Sequence, residues 1–405
     1  MMHRLMGVIG TVGILWVGDA VAGDWPRWRG PEGNGISTES GWRWQWEDGE
    51  PEVAWRAEVG VGFSSVVVAD GRVLTTGNDG EATDTVTCLD AASGAVVWNH
   101  AYPAPLDDKF YEGGPSATPT VDGSEVLVLS KRGTLMCLAL EDGAVRWEVN
   151  VGEAAGMPLP SWGFGGSPVV VGEMILLNVG KSGMALKRSD GGVIWKSEAE
   201  EAGYSTPVVF EEDGQTRALF SSGKEFSAVK VETGEVVWSH RWATRYGVNA
   251  SDPIVAGERV FLASGYGKGC VLLDTGGDDP SVVWQSKVLR TQMNPCVLVD
   301  GFLYGTDGDQ GDRAPLKCVA FATGETEWSE PDVGTGGIMV ADGKLIVLTA
   351  RGELVIAPAS PDGFEPTLRM QILGGKCWTV PVLANGRIYC RNAAGDLACA
   401  DVRTN

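Results

Sequence analysis

Histidine is nearly missing from this sequence. The 405 residues carry three, at positions 3, 100 and 240. His3 falls in the leader described below. His100 and His240 hold one slot, two residues after a repeated tryptophan, so they read as parts of a repeat and not as a catalytic pair. No His-Glu-x-x-His, Gly-x-Ser-x-Gly or P-loop motif occurs. A histidine zinc site, a serine triad and a phosphate-cradling loop are thereby excluded. Basic residues are also scarce: 32 Lys and Arg stand against 53 Asp and Glu, for a net charge of -21. That balance argues against a nucleic-acid backbone or an anionic membrane as partner.

Long apolar runs are confined to the amino terminus. Met1 to Arg4 carry positive charge, Leu5 to Val17 are apolar, and Ala20-Val21-Ala22 is a small-x-small cleavage site. The pattern predicts a signal peptide over residues 1–22, cut after Ala22, and a periplasmic or secreted mature chain. An uncleaved anchor is the alternative, although the run is short for a membrane span. No later stretch is apolar enough to cross a bilayer.

Cysteine is present, eight in all, but its placement argues against a disulfide framework. Cys88, Cys137, Cys318 and Cys399 occupy one repeated slot. Equivalent positions in separate repeats lie too far apart to bridge. They read as small buried apolar residues. Cys377 with Cys390 or Cys399 is the one pairing left to test.

What the chain has in quantity is glycine (57) and tryptophan (16). Self-comparison shows why. A unit of the form Ser-Pro-Val-Val, Gly, apolar strand, Gly, Leu-x-x-Leu-Asp, Thr-Gly, x-x-x-Trp recurs at 64–98, 116–147, 167–195, 205–238, 251–284, 294–328 and, degenerately, 337–370. A partial copy covers 378–402. The closing tryptophans, at 55, 98, 147, 195, 238, 284 and 328, are spaced 43 to 49 residues apart. Four strands per unit and a period in the forties predict an all-β, eight-bladed β-propeller of four-stranded antiparallel blades. The last copy lacks its Trp-bearing outer strand, and an orphan strand around Trp55 stands at the other end. Their pairing would close the ring. The division is residues 23–51 as an amino-terminal segment and 52–405 as propeller; a seven-bladed ring would require the weak 337–370 copy to be something else.

The core Leu-x-x-Leu-Asp-x-x-Thr-Gly-x-x-x-Trp, clearest before Trp98 and Trp238, resembles the pyrroloquinoline-quinone-like (PQQ-like) β-propeller repeat family. The stretch from Asp24 to Ser37 (Asp-Trp-Pro-Arg-Trp-Arg-Gly-Pro-Glu-Gly-Asn-Gly-Ile-Ser) is similar to the start of secreted planctomycete-type members. The family includes quinoprotein alcohol and glucose dehydrogenases and an outer-membrane assembly factor. The resemblance implies PQQ in the channel, usually with calcium, or else an assembly role. The chain departs from both classes. It has no adjacent Cys-Cys pair, no Cys-x-x-Cys-His and no cysteine at the cleavage site for lipidation.

Residues just before each inner strand face a propeller's channel mouth. Here they include the aromatics Phe63, Tyr111, Trp162, Phe164, Tyr204, Tyr246 and Trp378, with Lys109, Arg245, Asn249, Gln292, Asn294 and Lys376 as polar neighbours. They predict either a pocket that stacks on a planar or sugar ligand or a plug of a narrow channel. Asp307-Gly308-Asp309-Gln310-Gly311-Asp312 has calcium-like spacing but no terminal Glu, and also reads as a solvated hairpin tip. A strong repeat beside absent catalytic motifs points to a binding or scaffold protein with a protein partner or channel ligand. A PQQ-dependent oxidoreductase and a polysaccharide-binding module are the other readings.

Overall fold

Each repeat becomes one sheet, because its turns are built for tight hairpins. In the first, Val67–Ala69 meets Arg72–Asn78 across Asp70-Gly71. Both turn residues have positive φ (48° and 68°), the conformation a two-residue type I′ turn demands. Thr83–Asp90 and Val96–Pro103 complete the blade. The structure, a computed structural model, describes residues 23–109, 111–308, 311 and 313–404. The expected leader, 1–22, lies outside the described residues.

Eight four-stranded antiparallel blades form the ring. Blades 1 to 7 span 67–103, 120–150, 169–196, 208–241, 254–286, 297–330 and 337–371. Blade 8 consists of Val382–Ala384, Arg387–Arg391 and Asp396–Asp401, completed by Glu52–Glu58 as its outer strand. Trp55 pairs with Cys399 in that junction. The degenerate 337–370 copy is therefore a true blade, and the ring closes as the orphan strand predicted.

Blades stack through apolar faces. Leu74, Val86 and Cys88 of blade 1 meet Val126, Val128 and Met136 of blade 2, all buried. All eight cysteines are buried and unpaired, so the candidate pairing of Cys377 with Cys390 or Cys399 is not formed. Packing them as small apolar groups satisfies the core without a cross-link.

The closing tryptophans bolt each blade to the next. Trp55, Trp98, Trp195, Trp284 and Trp328 donate their indole N–H to the carbonyls of Ala91, Leu140, Val231, Phe321 and Ser360, at 2.7 to 3.1 Å. The indole of Trp55 also lies over Gly94, where a Cβ would fall 2.6 Å from the ring. Gly94, which stands here after Ser93 in the slot that Thr-Gly fills in other blades, is thus needed twice, for its φ of 71° and for the close approach. Trp147 and Trp238 make no such bond, and in Trp238 the indole nitrogen is sealed from solvent as well. Blade 5 replaces the short turn with Thr275-Gly276-Gly277-Asp278-Asp279-Pro280, and the Trp238 Nε1 is buried without a partner. His100 and His240 both sit beside an aromatic two residues on, Tyr102 and Trp242, which fits their shared repeat slot.

The amino-terminal segment runs across the ring at the hairpin-turn end of the inner strands. Trp25 exchanges two backbone hydrogen bonds with Val68, and the Pro26 carbonyl accepts from Val121. Arg29 donates to the Cys296 carbonyl (2.8 Å). Ile36–Ser37 adds a parallel strand against Val340 and Ala341 of blade 7. Glu39 accepts from the backbone of Asn385 and Gly386 in blade 8. Fifteen or so residues therefore touch blades far apart around the circle and floor the channel.

Candidate functional site

The wall of the channel is held by a belt of hydrogen bonds linking successive blades. The residue one position before the inner-strand proline supplies the links, and in blade 1, where Val66 replaces that proline, Ser65 does. Ser65 N–H donates to Thr118 Oγ1 (3.0 Å), Thr118 N–H to Ser167 Oγ (2.9 Å), Ser167 N–H to Thr206 Oγ1 (3.0 Å), and Thr206 N–H to Asp252 Oδ1 (2.7 Å). Four blades place Ser or Thr in this slot and blade 5 places a carboxylate. That contrast is visible in the sequence, and it marks Asp252.

Above the belt lies a cavity that opens to solvent. Trp28 of the floor segment projects into it and donates its Nε1–H to Asp252 Oδ2 (2.6 Å). Both Asp252 oxygens are thus engaged. Burial pushes its carboxyl above the usual range, opposed by the nearby Arg29 charge and by the Trp28 and Thr206 donors. Burial in turn lowers the Arg29 guanidinium.

One side of the mouth is an arc of rings. Trp378 and Phe63 have centroids 5.6 Å apart, Phe63 and Tyr111 5.6 Å, and Tyr111 and Trp162 5.9 Å. The Trp162 backbone N–H then donates to the Tyr204 hydroxyl (3.4 Å). Lys131 donates to the Tyr111 hydroxyl (2.8 Å) and lies 5.1 Å from its ring centre. Burial drives the Tyr111 phenol up to about 12, so it stays a neutral donor and acceptor.

The cavity wall brings together Phe63, Tyr111, Trp162, Tyr204, Gln292, Asn294 and Trp378 among the candidates read from sequence. Phe164 is buried in the core between blades 2 and 3, against Gly133. Asn249 is also buried, donating to the Ser222 and Trp242 carbonyls and accepting from Ser264. Arg245 and Tyr246 stand outside the wall as a cation–π pair, with Tyr246 edge-on to Tyr266. Lys376 lies over the Trp378 ring and pairs with Glu112 (2.7 Å). Lys109 is exposed.

A period of two sorts these residues. Counting from the belt slot, the position two before it lines the cavity in seven blades: Phe63, Ser116, Gly165, Tyr204, Ala250, Gln292 and Trp378. Phe164 and Asn249 fall three before it, where extended backbone turns the side chain to the opposite face. Trp28, Asp252, Tyr266 and Met293 are wall residues that sequence reasoning missed.

The acidic loop is not the solvated tip expected of it at Asp307. That residue is buried, bound by Arg290 (2.8 Å) and Lys317 (2.6 Å), which hold its carboxyl below the usual range. Its charge is neutralised by Lys317 of the same blade and by Arg290 of the connection that precedes it; Asp309, Gln310 and Asp312 lie outside the described residues. Among the described residues no group of three metal-ligating side chains converges, and no helix is long and apolar enough to cross a membrane.

Comparison with known proteins places the chain among similar propellers. A family model described as outer membrane protein assembly factor BamB matches residues 40–114 and 82–330. The Yersinia pestis protein of that name is 24% identical over 265 residues, 61% of this chain, and the match spans only 59% of that relative's length. The solved BamB of Moraxella catarrhalis superposes with a TM-score of 0.65 at 16% identity, over 87% of this chain and 100% of that one. A quinohemoprotein alcohol dehydrogenase from Pseudomonas putida HK5 gives 0.69 at 13%, over 94% and 80%. At such identities the two structures share the fold alone.

Proposed function

This chain belongs to the family of the outer membrane protein assembly factor BamB, and from that premise we propose that it is an exported binding propeller, a rigid disc that holds a ligand or partner at its channel mouth without turning it over. The Yersinia relative is named for assembly, a task of contact and not of catalysis. The observation that carries the reading is the composition of the cavity wall. It is aromatic and amide-rich, and its one carboxylate, Asp252, has both oxygens taken by fixed donors. No wall group is left poised to move a proton.

The quinoprotein reading fits these residues poorly. PQQ is a polycarboxylate and needs cations around it, yet among the described residues no Lys or Arg lines the cavity. Asp307, the lead residue of the calcium-like loop, is already paired with Arg290 and Lys317.

The test is a dye-linked dehydrogenase assay of the mature protein with added PQQ, calcium and a panel of alcohols and aldoses. Background rates are expected; turnover would remove the binding-propeller reading. Export is tested by sequencing the amino terminus of protein recovered from the native host, with Gly23 expected first.

A further inference from the structure

We infer that the channel pocket takes an uncharged oligosaccharide, a proposal that rests on the binding reading above and names its ligand class. Three observations converge. First, Trp378, Phe63, Tyr111 and Trp162 form a continuous curved platform, with neighbouring centroids 5.6 to 5.9 Å apart. Such rings offer broad apolar faces for the C–H faces of sugar rings. Second, Gln292 lines the cavity with only 6% of its surface exposed, yet its amide makes no hydrogen bond within the protein, and its polar atoms are not sealed in the core. A buried amide in that condition is a donor and acceptor waiting for a hydroxylated ligand.

Third, charged ligands are opposed by what already occupies the rings. An anion would meet no Lys or Arg among the described wall residues, and the ammonium groups nearest the rings, Lys131 and Lys376, are already engaged by the Tyr111 hydroxyl and the Glu112 carboxylate. A cation would find Asp252 fully bound, and the ammonium groups of Lys131 and Lys376 already 5.1 and 4.2 Å from the Tyr111 and Trp378 ring centres. What remains is a neutral ligand with both apolar faces and hydroxyls. The cavity opens to solvent, so a ligand longer than one sugar ring can extend out of it.

The experiment titrates the full mature chain with cellotriose, maltotriose, mannotriose and chitotriose. Tetramethylammonium chloride and PQQ serve as charged comparators, and both calorimetry and tryptophan fluorescence are read. At least one trisaccharide is expected to saturate, and neither comparator to do so at the same concentration. Trp162→Ala should weaken that sugar about tenfold or more, the loss of one ring's stacking. Gln292→Leu, which keeps the volume but not the amide, should weaken it with an unchanged melting temperature, so the proposal stays testable if the Trp162 variant folds badly. Silence of all four sugars, tighter binding of either comparator, or sugar binding indifferent to Gln292→Leu would each overturn the inference. Silent sugars without dehydrogenase turnover leave the binding reading standing; turnover removes both.

Discussion

Trp28 and Asp252 join the floor of the channel to its wall: the indole N–H meets the carboxylate at 2.6 Å although 224 positions separate them in sequence. Trp28→Phe keeps a ring but strands Asp252 Oδ2 in a buried site. A loss of about 1–3 kcal/mol is expected in urea unfolding. Asp252→Asn in the same background should recover part of it, because a neutral amide needs the donor less.

The blade-to-blade tryptophans are not equivalent. Trp98 donates to the Leu140 carbonyl and Trp238 donates to nothing. Both changes to Phe shrink the ring equally, but only Trp98→Phe leaves a carbonyl unpaired. The destabilisation of Trp98→Phe should exceed that of Trp238→Phe by about 1–2 kcal/mol in matched denaturation curves. Trp147→Ala, which removes the indole over Gly191, should cost roughly 3–5 kcal/mol and lower the Tm markedly.

Asp84 of blade 1 gives a pH signature. Burial raises its carboxyl from 3.8 to about 6, against the Asn78 amide that donates to it at 2.7 Å. Between those values the folded chain binds the proton that the unfolded chain has released. This group's contribution is therefore favourable at low pH and lost as pH rises from about 4 to 6, at up to about 1.4 kcal/mol per pH unit. Asp84→Asn should flatten that slope in unfolding curves taken across the window; an unchanged slope would assign it to other groups.

Arg391 seals the seam between blade 8 and blade 1. Wholly buried, it donates to Thr75 Oγ1 (2.6 Å) and to the carbonyls of Thr76 and Gly60 (both 2.9 Å) and Ser64. Burial lowers its guanidinium to about 9. Arg391→Met should cost about 3 kcal/mol or more, because several buried acceptors lose their donor together. Arg391→Lys should rescue little of it, since one ammonium cannot span acceptors arranged for a planar fork. Differential scanning calorimetry reads both.

The ring was legible because its determinants repeat. Trp98, Gly94 and the Asp70-Gly71 turn recur with their neighbours at fixed offsets, so one unit explains the others. The site was legible only in part. Aromatics before the inner strands did point to the mouth, yet Phe164 and Asn249 sit one position from the cavity-facing register, and a single-residue offset in extended chain reverses the face. Trp28 carries no repeat signal at all. Its partner becomes its neighbour only when the ring closes. Asp252 did carry one, a carboxylate where four other blades place hydroxyls.

The floor segment also sets an order of events. Arg29 waits for Cys296, 267 positions later, and Glu39 for Gly386, 347 positions later. Residues of this early segment are thus among the last to find their places. The outer strand at Glu52–Glu58 must likewise remain unpaired until Asp396–Asp401 has been made. Contacts of such span make the final step slow and expose a bare strand edge while the chain is incomplete. A nascent chain cut short by even one blade would keep that edge open, which gives a cell reason to hold it extended until synthesis ends.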